Sequence, residues 1–537
     1  MNGKRLTNIN EVVAAYREAH AAWRAKHLGD ARRMIKEIRQ SVANFPKLTL
    51  LEAFIARDSG EPLTELSLLR QCLAELESGG TKDLGLTAEA WSMIGSARHV
   101  LGETREAIEA FSRAALIEPS LAQKRVEASN TIFAANSAAD FTPEDFRALY
   151  RRYEALLAPI HPFPKRRLRH DRLRVGYLSA DLNAHPVGKL LLPLLARHDK
   201  TRFEVYCYAA DEKGDDVTER LRAAADVWRN VAPLSDEEAA RLIYDDEIDV
   251  LMELGVHTKG NRLPVLAYRP ATVQICGIGD VRSSGLSCAD YFLSDVWCAG
   301  DETSAQEDFT ERLLRLPHTH FCYTPPEDLP PLVPPPCLSR GFVTFGSFNN
   351  AAKITDETLS LWNELLLRVP KSRLLLKHKL FSGEEGRSFT RERMSRLGFD
   401  LSRVELRGFS QGHMLEYRDM DVALDTYPYT GGMTTFEALA MGVPVVSRYG
   451  ARHGTRFGYS ILQNLGLGEL AAPSKEQYIE IAAALATDAE LLSTLHEKLR
   501  SFLAASLLTD AAQYAADMET AYLSAWNETT NKEAPPN

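Results

Sequence analysis

From residue 173 onward the chain alternates strand-length apolar runs with helix-length segments, and a proline-rich stretch cuts that alternation in two. Residues 173–179, 203–208, 249–254 and 272–276 read as strands, with helices expected over 215–226 and 235–245. Apolar strands separated by helices must be covered on both faces, which points to a parallel, doubly wound sheet. Pro325, Pro326, Pro330, Pro331, Pro334, Pro335 and Pro336 follow. Such a stretch is stiff and poor in backbone donors, so it reads as a connector. A second series then runs through strands at 342–348, 372–376, 404–407, 422–424 and 443–446. Two Rossmann-like lobes on a linker leave a cleft at the carboxyl ends of their sheets, where ligands of such folds bind.

The most informative local signal lies in that second series. The strand at 422–424 runs into Asp425, then Gly431, Gly432, Met433, Thr434 and Thr435, before a helix expected over 436–441. A glycine turn opening a helix on two threonines directs backbone N–H groups and hydroxyls at one spot, with the positive end of the helix dipole behind them. Those groups suit a phosphate. No lysine follows the glycines, which separates the motif from a P-loop.

The N-terminal 120 residues are helical and carry a repeat. Trp91, Gly95, Gly102, Ala107, Phe111, Ala114 and Pro119 fall on tetratricopeptide spacing, with weaker copies around Gly29 (with Pro46) and Gly60. Small residues let two antiparallel helices approach, and the proline ends the second. The basic run from Lys165 to His170, just ahead of the first strand, reads as a solvated linker.

A chain of 537 residues exceeds one hydrophobic core, so two to four domains are expected. The formal net charge of −10 argues against a nucleic-acid partner, which calls for a basic face. The start of the chain has no apolar segment of signal-peptide length, and no run is long enough to span a membrane. Seven scattered cysteines with no CxxC pair point to a reducing cytoplasm and no structural zinc.

Residues 172–526 resemble the catalytic region of the family 41 glycosyltransferases, the O-linked N-acetylglucosaminyltransferase and SPINDLY-like group. The likeness rests on Val175 to Asp181 followed by His185-Pro186-Val187-Gly188, and on His257 to Arg262. It continues with Phe345 to Asn350 and Lys353, then Leu424-Asp425, Gly432, Thr434-Thr435 and Glu437 to Pro444. The resemblance implies a GT-B fold, two Rossmann-like lobes facing a cleft, preceded by an all-α TPR-like domain. It implies metal-independent transfer of a sugar, UDP-GlcNAc first among donors, to Ser or Thr of proteins, with no cofactor beyond the nucleotide sugar. Glucose or fucose as the sugar, asparagine or a glycan as the acceptor, and a non-catalytic nucleotide-sugar scaffold stay open.

Carried over residue by residue, Lys353 matches the lysine facing the diphosphate and His185 the histidine beside sugar and acceptor, where it acts as base or only orients groups and relays a proton. His413 matches a histidine that meets the base. Asn350, Gly432, Thr434, Thr435 and Gly279 fall among the donor-binding positions. Arg456 matches a frequent arginine that packs the lobes or serves the site. The chain departs from the family pattern at 279–284, which replaces a tyrosine-proline-glycine-threonine loop of the donor cleft. It also departs at Met433 and at Ala438, where animal members have an aspartate on the ribose; Glu437 substitutes only if the helix presents it.

The expected organisation is TPR-like repeats over 1–125, a helical connector over 126–170, the first lobe over 171–322 and a proline-rich linker over 323–340. The second lobe follows over 341–510, then a terminal helix and tail over 511–537. Expected partners are the nucleotide sugar and a protein acceptor recruited with the repeats, with homo-oligomerisation open.

Overall fold

The structure, a computed structural model, describes residues 8–79, 82–166, 170–211, 214–300 and 305–532. The first seven residues, expected to carry no signal peptide, and the tail beyond 532 lie outside them, as do 167–169 of the basic run. Two compact units divide the chain: Met1–Ala134 with Asn350–Leu359 and Leu376–Gln411, and Ala135–Asn349 with Ser360–Leu375 and Gly412–Asn537.

In the first unit three helical hairpins follow one another: Ile9–Arg24 with Leu28–Arg39, Pro46–Asp58 with Pro62–Ser78, and Leu84–Val100 with Thr104–Ile117. The third is the repeat with the clearest spacing, and its small residues do what that spacing requires. A Cβ on Gly95 would sit 2.7 Å from the Phe111 ring, so only glycine lets the helices close. Ala107 and Ala114 are fully buried. Gly102, at φ +76°, makes the turn between the helices, as Gly60 does at +73° in the hairpin before it. Helix Pro62–Ser78 starts without a side-chain cap of its own. Glu385 supplies one from far along the chain, accepting from Leu63 N at 2.9 Å, Thr64 N at 3.1 Å and Thr64 Oγ1 at 2.5 Å. A carboxylate there satisfies orphan donors and opposes the helix dipole.

The first sheet holds β1 (Leu173–Ser179), β2 (Phe203–Ala209), β3 (Val227–Asn230), β4 (Val250–Glu253), β5 (Val273–Cys276), β6 (Tyr291–Asp295) and β7 (Arg312–Leu316). Its order is β3-β2-β1-β4-β5-β6-β7 and every pairing is parallel. The second sheet holds β8 (Thr344–Ser347), β9 (Arg373–Lys377), β10 (Val404–Arg407), β11 (Val422–Leu424), β12 (Val445–Arg448) and β13 (Ala471–Ala472), in the order β10-β9-β8-β11-β12-β13. Both orders reverse direction once, between β1 and β4 and between β8 and β11. Those reversals are the switch points where open α/β sheets bind ligands, beyond the strands' carboxyl ends.

The basic run is not a free linker where it is described. The Arg166 guanidinium lies 3.6 Å from the Tyr244 ring centroid, and His170 Nδ1 meets Asp249 Oδ2 at 3.0 Å. Cation–π contact and a buried carboxylate draw both side chains onto the folded lobe, His170 at the amino end of the central strand β4. The last helix, Ala511–Lys532, takes up most of the 511–537 segment expected as helix and tail.

Candidate active site

The switch point of the second sheet is built around Asp425. This carboxylate, 3% exposed, accepts from Gly431 N at 2.6 Å and Thr426 N at 2.8 Å on one oxygen and from Ser447 Oγ at 2.7 Å on the other. It pins the glycine turn back onto the end of β11. A Cβ on Gly431 would meet Thr435 Oγ1 at 2.8 Å, Thr434 Oγ1 at 2.9 Å and Asp425 Oδ1 at 3.0 Å, so the turn closes only on glycine. Gly432 faces open space instead: a Cβ there would have no atom within 4 Å.

The helix begins at Met433, three residues earlier than expected, and runs to Ala440. Thr434 and Thr435 therefore occupy its first turn, and Gly432 gives the terminus no side-chain cap. An uncapped terminus beside open space is a ready anion site. Thr434 Oγ1 donates to Asn349 Oδ1 at 3.0 Å, which ties the terminus to the loop after β8. A shallow cleft opens here, lined by Ser347, Phe348, Asn349, Tyr417, Thr434 and Thr435 among others.

His413 and Glu437 stand together beside that cleft. His413 Nε2 lies 3.3 Å from Glu437 Oε1, and Tyr417 OH donates to Glu437 Oε2 at 3.2 Å. Ala438 is turned into the core at 1% exposure, so the helix presents Glu437 and not position 438 on the His413 side. Asn350 and Lys353 belong to the first compact unit. There Asn350 caps the short turn Ala351–Lys353 by accepting from Ala352 N at 3.2 Å, which sets Lys353 six residues past the end of β8.

In the first lobe His185 caps helix Pro186–Arg197 just beyond β1. Its Nδ1 accepts from Val187 N at 3.3 Å and lies 3.5 Å from Asp181 Oδ2. Burial lowers the imidazole pKa, and Lys189 adds to this while Asp181 opposes it. With Nδ1 accepting from the backbone, the neutral ring carries its proton on Nε2, where it donates. Asp215 braces the same loop by accepting from Ala184 N at 2.7 Å. At the end of β4, Glu253 accepts from Val256 N at 2.6 Å, and burial pushes its carboxyl up to about 7.

Gly279 is packed close: its N–H donates to Leu254 O at 2.9 Å, and a Cβ there would lie 2.3 Å from that oxygen. The residues after it turn inward. Asp280 accepts from Asn136 Nδ2 at 2.7 Å, and burial raises its carboxyl to about 6. Ser283 Oγ donates to Glu311 at 2.5 Å, and Ser284 N to the same carboxylate at 2.7 Å. The loop also meets the second lobe, where His453 Nδ1 donates to Val281 O at 2.9 Å. Arg456 joins the lobes too, donating to Trp297 O at 2.7 Å and Gly450 O at 3.0 Å. It is a packing arginine.

Sequence reading missed Asn349, Asp425 as the buttress of the turn, and a buried group of Cys298, His320 and His453. The first two stood inside the quoted motifs without a role. The third comes from three distant segments, and no spacing rule gathers it.

The Glycosyl transferase family 41 model matches residues 151–328 and 337–518. A Petunia hybrida protein described as a probable UDP-N-acetylglucosamine–peptide N-acetylglucosaminyltransferase SPINDLY is 38% identical over 371 residues, 68% of this chain and 40% of that protein. A Caenorhabditis elegans UDP-N-acetylglucosamine–peptide N-acetylglucosaminyltransferase is 25% identical over 468 residues, 65% of this chain and 40% of that one. The chain thus spans about 40% of the length of these relatives. Among solved structures, a mutant of Thermobaculum terrenum O-GlcNAc transferase matches 98% of this chain and 100% of its own, at 32% identity and a TM-score of 0.88. Helices followed by two parallel Rossmann-like lobes make this a GT-B fold.

Proposed function

This chain belongs to glycosyl transferase family 41, and on that premise we propose that it transfers a sugar from a nucleotide donor, UDP-GlcNAc first, to Ser or Thr hydroxyls of proteins. The observation that carries the reading is the uncapped helix terminus at Gly432, with Thr434 and Thr435 in its first turn, at the switch point between β8 and β11. Sugar transfer from a nucleotide donor leaves a diphosphate, whose developing charge must be met in the transition state. The helix terminus and its hydroxyls meet part of it, and the Lys353 ammonium supplies a full positive charge. That donor set supports a leaving-group site that works without a cation. His413 and Glu437 take the nucleoside end, and His185 donates from Nε2 toward sugar or acceptor. The helical hairpins recruit the polypeptide, since stacked repeats present extended surfaces. Seven free cysteines fit a reducing cytoplasm as the place of action, and no helix among the described residues is long and apolar enough to cross a membrane.

The presentation of Glu437 in place of an acid at 438, and the inward-turned loop after Gly279, are the two features that bear on which donor is used. The test is nucleotide release from UDP-GlcNAc, UDP-glucose, UDP-galactose and GDP-fucose, with cell lysate as acceptor and Lys353→Ala as control. Lysate-dependent release with one donor, lost in the variant, establishes the transferase and names its sugar. A folded protein that binds UDP but releases nucleotide from none of the four counts against the proposal and points to a scaffold or to a donor outside the four.

A further inference from the structure

At the junction of the two lobes, Cys298, His320 and His453 converge in the buried interior. Sγ of Cys298 and one nitrogen of each imidazole lie within 4.8 Å of one another. All three side chains are buried, at 0%, 2% and 2% exposure. Each comes from a different segment: the helix Val296–Ala299 after β6, the chain beyond β7, and the short turn His453–Thr455 of the second lobe.

The ring orientations are the informative part. His320 Nδ1 meets Asp295 Oδ2 at 2.5 Å and His453 Nδ1 meets Val281 O at 2.9 Å. Carboxylate and carbonyl oxygens only accept, so both rings hold a proton on Nδ1, which leaves Nε2 as the atom each ring can offer a metal ion. A histidine whose Nδ1–H is held by a carboxylate or carbonyl is the arrangement that orients imidazole ligands around metal ions. Asp295 is itself fixed by Cys298 N at 2.7 Å and Ser460 Oγ at 2.8 Å. Ser294 Oγ donates to His453 Nε2 at 2.9 Å. Rotation of that hydroxyl frees the lone pair and leaves an oxygen in reach as a further ligand. The wall is apolar, with Phe292, Phe309 and Phe457 edge-on to His453.

We infer that Cys298, His320 and His453 form a binding site for a divalent transition-metal ion of the zinc class, placed to clasp the two lobes. One thiolate and two imidazoles are the donor set such ions prefer. Binding expels the thiol proton to solvent and forms one metal–sulfur and two metal–nitrogen bonds. Charge then closes locally: the dication is balanced by the Cys298 thiolate and the Asp295 carboxylate behind His320. A buried site requires that balance. The three donor atoms draw together to reach bonding distances of about 2.0–2.3 Å from the ion. The proposed role of the site is structural, not in the transfer step.

Cobalt(II) is the probe, because its thiolate complexes absorb where cobalt on surface histidines does not. Full-length protein is produced in cobalt-supplemented medium, dialysed against chelator-treated buffer, and characterised by metal analysis and absorption spectroscopy. The expected result is one cobalt per chain with tetrahedral visible bands and a sulfur-to-cobalt charge-transfer band, both displaced by zinc. Cys298→Ala removes the charge-transfer band, and Asp295→Asn weakens retention by about 10–100-fold. A melting-temperature rise with zinc in the wild type and its absence in His320→Phe provide a readout that does not depend on the cysteine variant. Cobalt retained without a charge-transfer band, or the band surviving in folded Cys298→Ala, overturns the site. So does metal content equal to that of a variant lacking all three ligands.

Discussion

The hydroxyl of Thr434 donates to the amide oxygen of Asn349 at 3.0 Å, and both groups line the same cleft. The bond holds the helix terminus after β11 against the loop after β8, so the anion site is assembled before any ligand arrives. Asn349→Ala removes the acceptor and frees the threonine. A neutral hydrogen bond contributes about 0.5–1.5 kcal/mol net, so UDP affinity should fall by roughly two- to tenfold. Titration calorimetry reads this directly, and unchanged affinity would mean that the bond does no positioning.

The two glycines of the turn should behave oppositely. Gly431→Ala drives a methyl group into Thr435 and Thr434 and should lower stability by about 1–3 kcal/mol. Gly432→Ala meets no protein atom within 4 Å, so its melting temperature should stay close to wild type while UDP binding weakens. Thermal unfolding with and without UDP distinguishes the pair. Equal destabilisation of both would place protein, not ligand, over Gly432.

Lys353→Ala should lower turnover by at least about tenfold, equivalent to about 1.4 kcal/mol of lost transition-state stabilisation. The loss should appear in kcat more than in KM, because the charge it answers develops as the diphosphate leaves. Steady-state kinetics with the preferred donor decides this, and wild-type kcat would remove the leaving-group assignment.

For His185 the backbone bond to Nδ1 leaves a donor at Nε2, which favours an orienting role over proton abstraction. His185→Gln should reduce kcat/KM yet keep the shape of the pH–rate profile. Disappearance of an acidic limb in the variant would assign the base role to His185 after all.

Glu253 gives a pH signature of stability. Its carboxyl sits near 7 in the fold against an ordinary 4.5, because it is fully buried. Between those values the folded state keeps a proton that the unfolded chain has lost, so this group's contribution falls as pH rises through that window. The whole effect is at most about 3 kcal/mol. Denaturant unfolding of wild type and Glu253→Gln from pH 5 to 8 should show the wild type losing ground to the variant. Parallel curves would count against the shifted carboxyl.

Much of the fold is legible because apolar runs that must be covered on both faces leave a clear record. Four strands escaped reading: β13 is only two residues long, β6 (Tyr291–Asp295) is buried throughout but short and set among loops, and β3 and β7 are weak in apolar residues. β3 offers Val227 and Trp228 and then Arg229 and Asn230, and β7 sets Arg312 and Arg315 among its leucines. Both are edge strands, covered on fewer sides and free to carry charge. The helix at Met433 starts early because Gly432 already adopts the capping position, which propensity at Met433 and Thr434 does not announce. Lys353, Thr434 and Thr435 could be singled out because their motifs are local. The Cys298 group could not, since Cys298 and His453 are joined only by the packing of one lobe on the other.

The Glu385 cap on helix Pro62–Ser78 has a consequence for how this protein can be re-engineered or can diverge. The capping carboxylate lies 321 residues away from Thr64 in sequence, so the hairpins are not an exchangeable cassette. A splice that swaps in foreign repeats strands an acid without its donors and leaves a helix start bare. Any exchange that includes helix Pro62–Ser78 must therefore carry a matching acid at 385 with it.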